Sequence, residues 1–204
     1  MSAADRFAGR TAIVTGGASA LGQAVAARIV AEGGQVLLWD VDAAALHAAK
    51  DEIGKVSVRA IDVSDQMAVA SATAEARNTL GGQIDILINA ARIPGATAPV
   101  DHYPIDSWLR VIDVNLNGTF YCCRAVVPYM AARGYGRIVN VLSAAGQDAG
   151  PDAAAKAGVI GFTQGLAREL ASRGIIASGA GAISDDPGSL SELVETVCSM
   201  ASQA

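Results

Sequence analysis

The sequence has few aromatic residues, no long hydrophobic run and no excess of positive charge. Of its 204 residues 51% are apolar, but only 4% are aromatic. The core must therefore consist mainly of Ala, Val, Ile and Leu, as in parallel sheets covered by helices on both faces. No stretch approaches the roughly 18 apolar residues of a membrane-spanning helix. The net charge of −5 argues against a surface that binds nucleic acid. We therefore expect that the protein binds neither a membrane nor a nucleic acid.

Cysteine is also scarce, with three residues, two of which are adjacent, Cys122 and Cys123. This number and spacing provide neither a disulfide framework nor a metal site. The segment 1–6 lacks the apolar region of a signal peptide. We therefore expect a cytoplasmic protein with reduced thiols and no bound metal.

Short apolar segments alternate with helical patterns along the whole chain. The patterns predict strands at 11–15, 35–40, 56–61, 84–89 and 136–142. They predict helices at 21–32, 42–53, 65–80, 104–132, 153–173 and 190–202. This alternation is typical of an α/β protein with a doubly wound parallel sheet in three α/β/α layers. We expect one domain over residues 1–204.

The region 174–189 breaks this pattern. It is rich in Gly, Ser and Asp and is predicted to be a loop. Residues 177–182 read Ala-Ser-Gly-Ala-Gly-Ala, which are poor strand formers, so the last strands are expected to be shortened or missing.

The first strand leads into a glycine-rich turn, Thr15-Gly16-Gly17-Ala18-Ser19-Ala20-Leu21-Gly22, and then into a helix. Strand, tight turn and helix form the arrangement that binds a dinucleotide. Gly16 allows the sharp turn, Gly22 allows close packing of helix and strand, and the helix N-terminus offers N–H groups to a pyrophosphate. The turn predicts a Rossmann fold that binds NAD or NADP.

Two aspartates follow predicted strands. Asp40 ends the second strand, near the spacing at which an acid binds the adenosine ribose hydroxyls of NAD. A carboxylate would repel the 2′-phosphate of NADP, and positions 17–20 and 41–43 hold no Arg or Lys to receive it. NAD is therefore favoured, although Asp40 could instead cap the next helix. Asp62 follows the third strand, where a ligand contact and helix capping remain equally open.

Seven segments together resemble the short-chain dehydrogenase/reductase family, close to its 3-oxoacyl-acyl-carrier-protein-reductase-like members. They are Thr15–Gly22, Asp40, Asp62-Val63, Asn89-Ala90-Ala91, Val114-Asn115-Leu116, Gly136–Ser143 and Lys156-Ala157-Gly158-Val159. The resemblance implies a Rossmann fold and an NAD-dependent oxidoreductase that interconverts a carbonyl and a secondary alcohol. It also implies a cofactor site formed by Gly16, Ser19, Ala20, Leu21, Gly22, Asp40, Asp62, Val63, Asn89, Ala90 and Lys156.

Catalysis in this family uses a Ser, a Tyr and a Lys, helped by an Asn. The resemblance carries these roles to Ser143, which would polarise the substrate carbonyl, to Lys156 and to Asn115. The family's Tyr is the general acid/base, and a nearby cation lowers the pKa of its phenol towards neutrality. It stands four residues before the Lys, and that place is Asp152 here. Asp152 would donate no proton at neutral pH, and we expect it to cap the following helix.

Two readings of the missing Tyr remain open. The segment before Lys156 and the C-terminal end are shorter than the family pattern, either because segments of the protein are absent from this sequence or because the chain is truly shortened. The first reading predicts an active oxidoreductase. The second predicts a catalytically silent protein that keeps the fold and binds cofactor or a partner subunit. Arg92, where the family has glycine, would crowd the cofactor or point outward towards an anion.

The predicted helices at 104–132 and 153–173 carry apolar residues around much of their circumference. One face of each should pack on the sheet, and the remaining apolar surface favours burial against another subunit. The family resemblance implies a homodimer or homotetramer formed through these helices. We expect His47 and His102 to lie on the surface. We expect the adjacent cysteines, Cys122 and Cys123, to pack in the core.

Overall fold

The computed structural model of the chain describes residues 5–142, 150–181 and 187–203. Six parallel strands form one sheet in the order β3-β2-β1-β4-β5-β6. The strands are β1 (Thr11–Thr15), β2 (Gln35–Asp40), β3 (Val56–Ala60), β4 (Ile86–Asn89), β5 (Gly136–Leu142) and β6 (Ile175–Gly181). This is the strand order of a Rossmann fold, and it confirms the predicted doubly wound sheet.

In the described residues seven α-helices cover the two faces of the sheet, in agreement with the predicted three layers. They are α1 (Ala20–Ala31), α2 (Ala43–Ile53), α3 (Gln66–Thr79), α4 (Ile105–Ile112), α5 (Thr119–Arg133), α6 (Pro151–Leu170) and α7 (Pro187–Ala201). The strand residues alternate between two buried clusters, because successive side chains of a strand point to opposite faces. Val14 and Leu38 pack with α1, α2 and α7, whereas Ile13 and Leu37 pack with α3, α5 and α6.

The prediction of one continuous α-helix at 104–132 is wrong for the middle of this range. Helix α4 leads through a π-helical turn, Asp113–Gly118, into α5. A π-helical turn has wider i to i+5 hydrogen bonding and is frequent at functional sites. The periodicity of the sequence predicted one helix because apolar residues continue through this turn.

The expected absence of the sixth strand is also wrong. All seven residues of β6 pair in parallel register with β5, from Ile175 opposite Gly136 to Gly181 opposite Leu142. Low strand propensity is overridden here, since β5 offers a full row of backbone partners and the small side chains of Ala177 and Ala180 are buried under helices. The predicted loop 174–189 therefore contains this strand, and α7 begins within it.

The register aligns the carboxyl ends of the central strands. Thr15 of β1 lies opposite Asn89 of β4, which in turn lies opposite Asn140 of β5. Ligands of open α/β sheets bind at this edge, beside the point where the strand order reverses between β1 and β4.

Candidate functional site

Three glycines in the turn between β1 and α1 lie too close to neighbouring atoms to be replaced by a residue with a side chain. Gly16 has φ +66°, and a Cβ there would lie 2.7 Å from the carbonyl oxygen of Ala90. A Cβ on Gly22 would lie 2.2 Å from the carbonyl oxygen of Gly16. Gly17 has the same role against β2, since its Cβ would lie 2.7 Å from Cβ of Leu38. Sequence reasoning missed Gly17 because its partner strand is distant in the chain.

Helix α1 begins within this turn and is capped by Ser19. The Ser19 hydroxyl accepts a hydrogen bond from the N–H of Gly22 at 3.1 Å and donates one to the carbonyl of Gly16 at 2.7 Å. Ala20 and Leu21 form the first turn of the helix, at the positive end of its dipole. These contacts present a rigid helix N-terminus of the kind that binds a pyrophosphate.

Asp40 lies beside the same turn and does not cap α2. Its carboxylate accepts hydrogen bonds from the backbone N–H of Ala18 at 3.0 Å and of Asp42 at 3.2 Å. Asp42 caps α2 instead, through the N–H of Ala45 at 2.9 Å. The helix-cap alternative for Asp40 is therefore wrong, and the carboxylate retains lone pairs that could accept ribose hydroxyls.

Asp62 also does not cap a helix, because Asp65 caps α3. The Asp62 carboxylate accepts hydrogen bonds from Ser64 and, at 2.8 Å, from the guanidinium of Arg110 on α4. Burial alone would raise the pKa of Asp62, but the hydrogen bonds from Ser64 and Arg110 outweigh it and lower the pKa. Next to it, Val63 is buried against Gly118. No sequence signal connected Arg110 to this loop.

The end of β4 is held by buried polar contacts. The backbone N–H groups of Ala90 and Ala91 both donate to the Thr15 hydroxyl at 3.1 Å. The side-chain amide of Asn89 donates to Oδ1 of Asn140 at 2.8 Å. These predicted cofactor-site residues therefore shape the sheet edge around Gly16, and the N–H of Ala90 is already paired.

Asn115 lies in the π-helical turn and is 9% exposed. Its side chain accepts from the N–H of Ile93 at 2.9 Å and donates to the carbonyl of Ile93 at 3.0 Å. The same amide nitrogen donates to Oδ1 of Asp152 at 3.0 Å. Through these bonds Asn115 joins the π-helical turn to the segment after β4 and to α6.

Asp152 was predicted to cap α6, and this prediction is wrong. The helix begins at Pro151, its N-cap position is Gly150, and Asp152 lies in its first turn. There one carboxylate oxygen accepts from Asn115 and the other accepts from Arg92 at 3.1 Å. Partners brought close by the fold determine its role, and none of them is near Asp152 in the sequence.

One pocket brings most of the predicted catalytic residues together. Its lining comprises Ala91, Arg92, Asn115, Thr119, Val141, Leu142, Asp152, Lys156 and Val159. Lys156 lies on α6, one turn after Asp152. Ser143 directly follows the described part of β5 and lies outside the described residues.

The remaining candidates are not part of this pocket. Cys122 and Cys123 are buried in α5, and burial raises the pKa of both thiols, for Cys123 to about 12. This confirms packing rather than reactivity. His47 and His102 are exposed, as expected. Within residues 5–142, 150–181 and 187–203, no cluster of three His, Cys, Asp or Glu side chains could hold a metal.

The sequence profile described as short chain dehydrogenase matches residues 10–182. The chain belongs to the short-chain dehydrogenase family. It is 58% identical over 179 residues to a 2-dehydro-3-deoxy-L-rhamnonate dehydrogenase (NAD(+)) of Sphingomonas sp. (strain SKA58), with 86% of this chain and 72% of that protein covered. It is 40% identical over 178 residues to a 3beta-hydroxysteroid dehydrogenase of Mediterraneibacter gnavus, covering 83% of this chain. The match spans 64% of the latter's length.

Solved short-chain dehydrogenases share the fold. NAD+-bound xylitol dehydrogenase has a TM-score of 0.80 at 32% identity, with 90% of this chain and 74% of the other covered. A metagenomic short-chain oxidoreductase in complex with NADP has a TM-score of 0.88 at 28% identity, covering 98% and 93%.

The family relationship establishes the class of reaction. The chain is an oxidoreductase that acts on an alcohol or carbonyl, and NAD is its cofactor. Two carboxylates, those of Asp40 and Asp42, lie on either side of the exposed Val41. Their negative charge would repel the 2′-phosphate of NADP, so this region suits NAD better. None of the described helices combines the length and the hydrophobicity that crossing a membrane requires.

Proposed function

We propose that this chain oxidises or reduces a sugar acid, a polyhydroxylated carboxylate, with NAD. The relative that shares 58% identity is named for such a compound, a deoxy-rhamnonate. The described lining of the pocket carries two cationic side chains, Arg92 and Lys156, and one anionic side chain, Asp152. These cationic side chains offer charge partners to an anionic substrate. This combination of relative and pocket charge carries the proposal.

The residues around the β1–α1 turn fit the cofactor. Gly16, Gly17 and Gly22 keep the backbone compact, and the N-terminus of α1 receives the pyrophosphate. The carboxylate of Asp40 would hold the adenosine ribose, and Asp62, Val63, Asn89 and Ala90 would contact the rest of the cofactor along the sheet edge. When bound, NAD supplies the hydride acceptor for oxidation and the hydride donor for reduction.

Lys156 and Asn115 line the pocket at the substrate end, and the family resemblance adds Ser143 as a third candidate catalytic residue. Lys156 would hold the nicotinamide ribose and would stabilise negative charge near the reacting oxygen. Asn115 is fixed by both backbone groups of Ile93, so its position is defined before any ligand binds. Ser143 polarises the substrate carbonyl by hydrogen bonding to its oxygen.

Proton transfer separates the two candidate functions. In the family a Tyr exchanges the proton with the substrate oxygen, and Asp152 holds that place here. Both oxygens of Asp152 accept hydrogen bonds, from Asn115 and Arg92. This observation favours the second candidate, a silent cofactor-binding protein. The first candidate needs a proton donor other than the Asp152 carboxylate, either from a segment that this sequence lacks or from solvent.

A paired binding and turnover assay tests both candidates. The purified protein is titrated with NADH by following its fluorescence, and then incubated with NAD and 2-dehydro-3-deoxy-L-rhamnonate. Binding with NADH formation that is lost in Lys156→Met supports the enzyme. Binding without NADH formation in the wild type supports the silent protein. Absence of NADH binding contradicts both.

Replacement of Asp152 by Tyr extends this test. The substitution places a phenol one helical turn before Lys156, which is the spacing of the family. If only the proton donor is missing, Asp152→Tyr increases NADH formation over the wild type. Unchanged turnover with intact NADH binding would assign the defect to other parts of the site.

We also propose that one domain carries cofactor and substrate, and that two or four copies assemble through α4, α5 and α6. Phe120 on α5 is 43% exposed and packs edge to face on Phe162 of α6, with ring centroids 5.9 Å apart. Leu109 and Ile160 are exposed to 53% and 38%. Aromatic and aliphatic side chains exposed together favour a subunit interface. The buried thiols suit the reducing cytoplasm.

A further inference from the structure

Arg92 projects from the segment that follows β4 into the pocket at the start of α6. Its side chain is 49% exposed, and one N–H donates to Oδ2 of Asp152 at 3.1 Å. Across the described parts of the chain, this is the one hydrogen bond of the Arg92 side chain. Because a guanidinium has five N–H donors in a planar fork, donors remain for a ligand.

The backbone beneath Arg92 is held in place. The next residue, Ile93, is bonded through both its N–H and its carbonyl to Asn115, at 2.9 and 3.0 Å. The preceding residues donate their N–H groups to Thr15. The position of the Arg92 backbone is therefore defined from both sides, while its side chain is free to change partner.

The contact between Arg92 and Asp152 is weak enough to exchange. A half-exposed ion pair of this kind contributes little to stability, because water screens the two charges and competes for their hydrogen bonds. If the contact with Arg92 is lost, Asp152 keeps a hydrogen bond, because its Oδ1 accepts from the amide of Asn115. A ligand carboxylate that accepts two parallel N–H bonds from the guanidinium would form a stronger contact than the one it replaces.

We propose that Arg92 binds the carboxylate of the sugar-acid substrate and that Asp152 pairs with Arg92 when no substrate is present. The inference rests on the proposed function, since it names the residue that would select an acid over an uncharged polyol. Arg92 thus sets specificity, and Asp152 competes with the substrate for the same guanidinium.

The test compares two ligands that differ in one group. L-Rhamnonate has a carboxylate at C1, and L-rhamnitol has a neutral hydroxymethyl group there. Each is titrated calorimetrically into the NADH-saturated protein, in which neither ligand can be oxidised, so the readout is binding. The wild type should bind rhamnonate more tightly. Arg92→Gln should weaken rhamnonate binding about 10-fold or more and leave rhamnitol binding unchanged.

Two further variants sharpen the result. Asp152→Asn removes the competing charge and should tighten rhamnonate binding. Arg59→Gln is the matched control, because Arg59 is 48% exposed and pairs with Glu75 at the same 3.1 Å, outside the pocket. Arg59→Gln should bind both ligands like the wild type.

The possible failures are distinguishable. If the wild type binds neither ligand, or both equally, the sugar-acid proposal fails and the role of Arg92 fails with it. If the wild type prefers rhamnonate and Arg92→Gln keeps that preference, the substrate class stands and Arg92 is not its receptor. If Asp152→Asn binds rhamnonate no more tightly than the wild type, the competition between Asp152 and substrate is refuted.

Discussion

Single residues in this site owe their roles to partners that are distant in the sequence. Asp40 ends β2 and Asp42 comes two residues later, and from the sequence only Asp40 was considered as a cap of α2. The structure separates them, since Asp42 bonds to Ala45 of the helix and Asp40 bonds to Ala18 across the glycine turn. Asp152 likewise has the helix-start position of a cap but bonds to Arg92 and Asn115. The sequence identified these carboxylates as important but could not assign their partners.

The two neighbouring aspartates should respond oppositely to substitution. Asp40→Ala should weaken NADH binding about 10- to 100-fold, because charge-assisted hydrogen bonds to the ribose are lost. It should weaken NADPH binding less, since a negative charge near the 2′-phosphate is removed. Fluorescence titration with both cofactors measures the ratio.

The control is Asp42→Ala. It removes the cap of α2 and should lower the free energy of unfolding by about 0.5–2 kcal/mol while leaving NADH affinity unchanged. Equal effects of the two substitutions on the ratio of NADH to NADPH affinity would refute the assigned division of roles.

Helices and strands were predicted well where periodicity is strong and poorly where packing overrides local preference. The bounds of β1, β2 and β5 agree with prediction at both ends. The π-helical turn escaped prediction because apolar residues continue through it, although Asn115, a polar residue within this apolar stretch, was a signal of it. Strand β6 escaped because its pairing with β5 compensates for weak local propensity.

Elements on one face of the sheet are joined by a buried chain of polar side chains. The amide of Asn140 on β5 donates to the hydroxyl of Thr163 on α6 at 2.8 Å and accepts from Asn89 on β4. Asn140 is fully buried. Asn140→Ala would leave the Asn89 amide and the Thr163 hydroxyl without these hydrogen bonds at a site that water cannot reach. The substitution should therefore lower the free energy of unfolding by about 2–4 kcal/mol.

Denaturant unfolding measures this loss, with Thr73→Val as control. Thr73 is equally buried, but its hydroxyl donates to the backbone carbonyl of Val69 in the same helix. Thr73→Val therefore leaves no other side chain without a hydrogen-bond partner. The control should change stability by less than about 1 kcal/mol. A similar loss in both variants would show that the polar chain adds nothing beyond ordinary packing.

At the scale of the whole molecule, an ion-pair network joins the first residues to the last helix. Glu32, at the end of α1, accepts from Arg6 and Arg28, and both arginines also contact Glu195 of α7. Burial alone would raise the pKa of Glu32, but the hydrogen bonds from the two arginines outweigh it and hold the pKa below its ordinary value of 4.5.

This lowered pKa makes stability depend on pH. A carboxyl group with a lowered pKa in the folded state stabilises the protein above the unfolded-state pKa, and the contribution is lost as the pH falls through the folded-state value. The free energy of unfolding should therefore be steady from pH 7 to about 5 and decline in more acidic solution. Glu32→Gln should lose about 1–3 kcal/mol at pH 7 and show a flatter acid decline.

Thermal and denaturant unfolding across this pH range measures the effect. Glu75→Gln is the control, because Glu75 is 52% exposed and its pair with Arg59 contributes about 0–1 kcal/mol. An acid decline as steep in Glu32→Gln as in the wild type would place the pH dependence in other carboxylates.

Assembly through α4, α5 and α6 gives a second prediction at this scale. Phe120→Asp places a charge in the proposed interface and should convert the assembly to monomers, because an unpaired charge opposes burial. Light scattering after gel filtration measures the mass. Val41→Asp, at an exposed apolar residue next to Asp40, is the control and should leave the assembly intact. A monomeric wild type contradicts the proposed interface.

Local sequence was sufficient for the dinucleotide turn, the alternation of strands and helices and the preference for NAD. These properties follow from glycine conformation, side-chain periodicity and the charge of a single residue, all of which act over short stretches of chain. Folding was required to define β6, the π-helical turn and the partners of Asp152, Arg92 and Arg110. Those features arise from contacts between segments far apart in the chain, and the free energy of such contacts exceeds the local preferences that a sequence displays.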